Sequence, residues 1–386
     1  MVPRLSDVIA VLDEQYPPSS AESWDAVGLV CGDPDADVHR VLFAVDPVAA
    51  VADEAIDWGA DLLVTHHPLF LRPVHGVAAT TPKGRLVHRL VTNGAALYTA
   101  HTNADSADPG VSDALADAIG LRDLRPLRPD TGEPQDKLIV FVPEPDTPQV
   151  LDALTTAGAG IIGNYERCAW MTSGTGTFRP GAGANPTIGA VGDVEEVAEH
   201  RLEMVLPRRI RASVIAALYE AHPYEEPAYD IYELADVPTS AGLGRVGVLD
   251  EPESLRSFTR RVADALPATV SGVRAAGDPE ATVRTVAVCG GAGDSLLDVA
   301  RRAGVDAYVT GDLRHHPASE ALDGGGPALL DVAHWAGEWP WLGRAADRLL
   351  EGLAARGNTV ETRISQIPTD PWTLHEPGRS AGTGRA

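Results

Sequence analysis

The stretch Asp61-Leu62-Leu63-Val64-Thr65-His66-His67-Pro68-Leu69-Phe70 decides how the chain is read. An apolar run ends abruptly in two adjacent histidines, and Pro68, which has no backbone N–H, stops the strand from continuing. A buried parallel strand looks like this where it delivers polar side chains to a ligand at its C-terminal end. Neighbouring strand residues point to opposite faces. Adjacent histidines therefore suit a strand end that is already turning, or two ions side by side, better than one ion held in regular strand geometry. Taken alone, the pair also fits two loop histidines bonded to backbone carbonyls.

Outward from this stretch the same alternation repeats. Leu5, Val8, Ile9 and Leu12 share one helical face before Pro17-Pro18 stops the helix. A strand over 41–45 ends at Asp46, a helix covers 48–58, and the strand into His66-His67 follows. After a helix near 84–93, a strand over 95–100 ends in His101-Thr102-Asn103-Ala104-Asp105. Asp108 and Pro109 then open a helix with Val111, Ala114, Leu115, Ala118 and Ile119 at helical spacing. Repeated βα units predict an α/β fold of mostly parallel sheets flanked by helices.

The pattern changes at about residue 124, where the Pro, Arg, Gly and Asp-rich segment 124–136 reads as a linker. Strands over 138–142, 166–172, 201–206 and 228–234, with helices over 147–157 and 210–221, give a βαββαβ order. That order predicts an inserted ferredoxin-like α+β domain over 131–237. Strand–helix units then return: 283–288 leads into Cys289-Gly290-Gly291-Ala292-Gly293-Asp294, 307–310 into Gly311-Asp312, and 328–332 into Ala333-His334. Residues 1–130 and 238–375 are thus expected to form two parts of one α/β domain, and 376–386 a disordered tail.

Composition narrows the function classes. The formal charge is −24 and the sequence pI about 4.8, so the surface repels phosphodiester backbones and disfavours a nucleic-acid partner. No apolar stretch approaches the roughly 20 residues of a membrane span. Met1–Asp7 lacks the basic and apolar regions of a secretory signal. Cys31, Cys168 and Cys289 are too few and too scattered for a disulfide framework or thiolate zinc site, and a cytoplasmic location is the expectation.

Three strand ends carry groups able to bind metal: His66 and His67, His101 and Asp105, His334 and Glu338. Strand ends along one edge of a parallel sheet converge in space. In Asp331-Val332-Ala333-His334-Trp335-Ala336-Gly337-Glu338, His and Glu stand four apart at a helix start, which puts them on one face. Three imidazoles and two carboxylates from these strand ends would exceed what one tetrahedral ion needs and suit two divalent ions with a shared carboxylate. Mixed imidazole and carboxylate ligation accepts Zn, Fe or Mn. His101 is a candidate acid/base group or a donor beside the site, or else a structural loop histidine. His315-His316-Pro317 imitates the first pair without carboxylates around it. His222 with Glu225 and Glu226 reads as a rigid proline-flanked turn rather than a ligand set. The 174–183 loop lacks the lysine and following helix of a phosphate loop and reads as a hairpin connection.

The chain resembles the Nif-three-like dinuclear-metal family, often labelled GTP cyclohydrolase 1 type 2 homologues. The resemblance is carried by Ser23-Trp24-Asp25-Ala26-Val27-Gly28-Leu29, Thr65-His66-His67-Pro68-Leu69 and His101-Thr102-Asn103-Ala104-Asp105. Gly290-Gly291-Ala292-Gly293, Thr310-Gly311-Asp312-Leu313, 331–338 and Thr369-Asp370-Pro371-Trp372 add to it. In the middle, Gly174 to Pro180 and Ala221 to Pro227 are similar to the PII-like or CutA-like insertion of long bacterial forms. The resemblance implies ligands at His66, His67, Asp105, His334 and Glu338, with Asp105 or Glu338 bridging, and a ring-shaped homohexamer. Two positions depart from its pattern. Ala26 stands where Asn is usual, and Ala333-His334-Trp335 replaces Gly-His-Tyr, so a loop hydrogen bond is expected to be lost and access narrowed.

These readings lead to a dinuclear-metal-dependent hydrolase acting on a small molecule, with GTP the nucleotide candidate. The alternative is a metal-containing regulatory or scaffold hexamer whose inserted domain senses a ligand.

Overall fold

Leu62–Thr65 is buried on both faces, as a central parallel strand requires. Its neighbours Ala96–Thr99 and Arg40–Ala44 run parallel to it, and Glu361–Ile364 extends the sheet in the same direction. Gly28–Cys31 closes the other edge antiparallel. The computed structural model describes residues 1–376, so the tail expected over 376–386 lies, apart from Glu376, outside the described residues. Fold class is mixed α/β.

A second, six-stranded sheet is built mainly from the C-terminal half, with one strand from before it. Thr282–Ala292, Ala307–Gly311 and Ala328–Val332 are parallel neighbours. Antiparallel strands flank them: Arg274–Ala276 on one side, Pro238–Ser254 on the other. Arg122–Thr131 forms the far edge beyond Pro238–Ser254. The expected linker over 124–136 is therefore mostly strand, leaving only 132–134 between Arg122–Thr131 and Gln135–Pro143. Pro126 and Pro129 misdirect the reading, because an edge strand tolerates proline where a central one does not.

Helices alternate with these sheets. Ala49–Trp58 and Pro82–Thr92 pack Val51, Ala55, Leu86 and Leu90 against Leu42, Leu63 and Leu97 on one face of the five-stranded sheet. The other face, through Val41, Phe43, Val64 and Tyr98, shares one core with Val286, Val288, Val309 and Leu330 of the six-stranded sheet. Helices Leu5–Gln15, Val111–Ala118 and Pro340–Ala355 fill the space between. Fully buried residues there, such as Leu12, Phe43 and Leu349, each contribute about 1.5–3 kcal/mol. Leu296, Leu297 and Ala300 cover the remaining face of the six-stranded sheet.

The chain divides into two compact units, Met1–Asp130 with the residues from Ser240 on, and Thr131–Thr239. The second unit has an antiparallel sheet in the order Trp170–Phe178, Glu195–Pro207, Gln135–Pro143, Tyr229–Glu233. Helices Thr147–Thr156 and Arg211–Ala221 cover one face through Val150, Leu154, Val214 and Leu218, packed on Leu138, Val140, Leu202 and Met204. The strand expected over 166–172 begins only at Trp170 and continues to Phe178, so the first part of the expected Gly/Pro loop is strand. Among the described residues, no helix is long and apolar enough to cross a membrane.

Candidate metal centre

His66 and His67 follow Leu62–Thr65; His101 caps the short helix Thr102–Ser106, which carries Asp105 and follows Ala96–Thr99. His334 opens the five-residue helix His334–Glu338 directly after Ala328–Val332. The first four residues thus come from the five-stranded sheet and the last two from the six-stranded one. Convergence is between two sheets, not along one edge as the βα pattern suggests.

Glu338 lies at the centre. Its Oε1 is 3.0 Å from His334 Nε2 and 3.4 Å from His66 Nε2, and its Oε2 is 3.1 Å from His67 Nε2. The four-residue spacing of His334 and Glu338 is realised as a direct contact. Asp105 Oδ1 is 3.7 Å from His66 Nε2. The rings of His66, His67 and His101 lie 5.1–5.6 Å apart, with His334 5.0 Å from His67. Two donor groups result: His66, His67 and His101, and His67, His334 and Glu338, each with its ligand atoms within 4.8 Å of one another.

The opposite ring nitrogens settle the tautomers. His66 Nδ1 is 2.9 Å from the Ala100 carbonyl, which only accepts, so the proton sits on Nδ1 and Nε2 presents a lone pair. Carboxylates take the Nδ1–H of the other three: Asp46 from His67 at 2.7 Å, Asp25 from His101 at 2.9 Å, Asp312 from His334 at 2.7 Å. This is how metal-bound imidazoles are oriented and made more basic. His67 Nε2 and His334 Nε2 face each other at 3.2 Å. Among the described residues, His66 Nε2 and Glu338 Oε2 are buried with no hydrogen-bond partner. The wall behind His66 is the buried Trp341 ring, 5.4 Å away. Converging lone pairs and orphaned polar atoms around a buried carboxylate fit a cation.

The protonation equilibria of the metal-free cluster follow from the same geometry. Burial opposes the Glu338 carboxylate, but His67, His66 and His334 outweigh it and hold its pKa well below the usual range. Burial also opposes charge on His334, yet Glu338 and Asp312 raise its pKa to about 9. Burial pushes Asp105 up to about 6. His101 goes the other way, to about 4, through burial and the neighbouring His66 charge, despite Asp25. It is neutral at physiological pH.

Ala26 gives its backbone amide to Asp25 Oδ1 at 2.9 Å, a bond that does not depend on the side chain at this position. Trp335 is buried in the core between the sheets and does not narrow access, contrary to expectation. The exposed ring beside the site is Trp24, edge-on to His101 at 6.0 Å. His315 and His316 are exposed and belong to neither donor group. Gly290-Gly291-Ala292-Gly293 acts on the site directly. Gly291 has φ +63°, and a Cβ there would overlap Glu338 Oε1 and lie 3.1 Å from His334 Nε2. The carboxylates Asp25, Asp46 and Asp312 were not assigned a role from sequence, although Asp46 and Asp312 also stand at strand ends.

A family model described as Duf34/NIF3 (NGG1p interacting factor 3) matches residues 3–371. The chain belongs to the DUF34/NIF3 family. Among its members, the Mycobacterium tuberculosis protein named GTP cyclohydrolase 1 type 2 homolog is 56% identical over 378 residues, 97% of this chain and 98% of that protein. The solved structure of a Bacillus cereus protein related to NIF3 is 37% identical, with TM-score 0.69 over 97% of this chain and 100% of that one. Staphylococcus aureus SA1388 is 26% identical with TM-score 0.79, covering 97% of this chain and 99% of its own. The NIF3 likeness spans both units, and the His/Glu cluster lies within the matched residues.

Proposed function

We propose that this NIF3 protein is a hydrolase dependent on two divalent cations, which His66, His67, Asp105, His334 and Glu338 would hold. The observation that carries the reading is the set of imidazoles whose Nδ1–H groups are all tied down, with the Nε2 atoms of His66, His67 and His334 around one buried carboxylate. The geometry supports His101 as a further donor on the His66 side, in preference to the acid/base role expected from sequence. Its Nδ1–H belongs to Asp25, and its pKa near 4 keeps Nε2 bare. A bound pair of Zn, Fe or Mn ions would lower the pKa of water toward neutrality and polarise a substrate oxygen. Within the chain, Asp25, Asp46 and Asp312 orient the rings, Trp341 shields His66, and exposed Trp24 offers a face to a planar substrate.

GTP ring opening is the candidate reaction, supported by the name that the 56% identical relative carries. We further propose a cytoplasmic ring-shaped homohexamer acting on a small molecule, with residues 131–237 an inserted ferredoxin-like domain, and no role for nucleic acid. The strand order of the second unit and the net charge of −24 support the last two points. Metal analysis of protein purified without chelator, with turnover screening of GTP, other nucleotides and phosphoesters, tests the reading. Absence of turnover in metal-replete protein, with His66→Ala behaving identically, would overturn it. Light scattering should give six chains of 40.6 kDa. A second reading, a metal-containing regulatory or scaffold hexamer, is favoured by a separate cavity in the 131–239 unit.

A further inference from the structure

The sheet of the second unit has two unlike faces. Leu138, Val140, Leu202 and Met204 face the helices; the alternate residues Phe141, Glu199 and Arg201 point to the other side. On that side the chain forms a cleft of about 580 Å³, open to solvent and within the size range of small-molecule sites. The segment around Pro186 and the turn 224–228 complete its wall. This covering is fastened. Thr187 Oγ1 donates to the Pro223 carbonyl at 2.6 Å, and the Asn185 amide donates to Glu225 at 3.0 Å. His222 donates through Nε2 to the Phe141 carbonyl at 2.9 Å and accepts the Tyr224 amide on Nδ1 at 3.1 Å, so it holds the turn and leaves no nitrogen for a ligand.

Glu199 is 8% exposed, an unusual position for a carboxylate on the open face of a sheet. Tyr224 donates its hydroxyl to Glu199 Oε1 at 3.0 Å, and Phe178 meets the Tyr224 ring edge-on at 5.5 Å. Glycine at 176 makes the room, since a Cβ there would overlap Glu199 Oε2. Three carboxylates, Glu199, Glu225 and Glu226, line the cavity against one guanidinium, Arg201, which is already paired with Glu203 at 3.0 Å. The wall is thus anionic and aromatic together. That combination disfavours phosphate and rewards a cation on an apolar body, through charge pairing and cation–π contact.

We propose that the cavity of the 131–239 unit is a binding site for a small organic cation, an amine or guanidine, with Glu199 as its charge partner and Phe178 and Tyr224 as its aromatic wall. The proposal deepens the regulatory reading above and does not depend on the metal centre. Calorimetric titration of the full-length protein with tyramine and agmatine, against p-cresol and AMP as neutral and anionic controls, tests it. One amine per chain should bind at least tenfold more tightly than either control. Glu199→Gln should weaken it tenfold or more, and Phe178→Leu severalfold. Failure of both amines to bind, equal binding by Glu199→Gln, or preference for AMP would overturn the proposal. Circular dichroism and thermal unfolding of the same samples show whether each variant is folded, and metal content is followed alongside. Loss of metal with amine binding retained would count against the metal centre alone.

Discussion

Replacing Asp46 with Asn tests the metal centre without touching a ligand. Asp46 Oδ1 receives the His67 Nδ1–H at 2.7 Å, and its second oxygen takes the Thr369 hydroxyl. Asparagine keeps the shape and can still accept from the ring, while its amide can face Thr369. What disappears is the negative charge that makes His67 a stronger donor. Outer carboxylates of this kind are worth about 10–100-fold in metal affinity. The Asp46 side chain is 26% exposed, so solvent screens part of the effect. We therefore expect a 10–30-fold weaker dissociation constant, roughly 1.4–2 kcal/mol, with unchanged stoichiometry. Competition against a chromophoric chelator at fixed pH, with Zn and with Mn, measures it directly. A constant within twofold of wild type would refute the argument that Asp46 holds His67 as a ligand.

The metal-free cluster should respond to pH. His334, raised to about 9, gives the folded state stability that is complete below the ordinary imidazole pKa near 6.5 and lost as pH rises through about 9. The melting temperature of metal-free protein should fall across that window while the metal-loaded form holds, and cation affinity should climb as the competing proton leaves. Gly291→Ala places a methyl against Glu338 at a left-handed backbone position, so metal content should drop sharply with the fold retained, as read by elemental analysis and circular dichroism. Arg245→Met should cost about 3–5 kcal/mol in denaturant unfolding. Arg245 is buried and binds Asp113 at 2.9 Å and the Ala107 carbonyl at 2.6 Å, so its loss leaves both without their cationic partner; a cost below 1 kcal/mol would contradict this.

Much of this arrangement is legible in the chain itself. The His-His-Pro strand end, the four-residue His334–Glu338 spacing and the βα alternation each have a local physical cause that the sequence displays. Less legible was the partition into two sheets. Hydrophobic runs such as 62–65 and 307–311 look alike whether their strands share a sheet or not, because pairing is decided by contacts distant in sequence. Asp46 and Asp312 escaped for a related reason. A single carboxylate after a strand is common, and its role appears only when the ring it orients is seen 2.7 Å away. Arg122–Thr131 was obscured by its prolines, which an edge position tolerates.

The decisive question for the cluster is whether protons alone would satisfy it. If they did, each imidazolium would find an acceptor on both nitrogens. Glu338 offers two oxygens, yet three Nε2 atoms crowd it and two of those face one another at 3.2 Å. Protonating His67 and His334 together would set two positive rings against each other in a buried site; His67 lowers the His334 pKa, and only the Glu338 and Asp46 or Asp312 carboxylates keep both raised. Among the described residues, His66, fully buried with Nδ1 committed to a carbonyl, has no hydrogen-bond partner on Nε2. A divalent cation removes the conflict, because lone pairs that repel one another all point usefully at a positive charge. Burial of this many anchored imidazoles is costly for a merely structural cluster and natural for a metal centre.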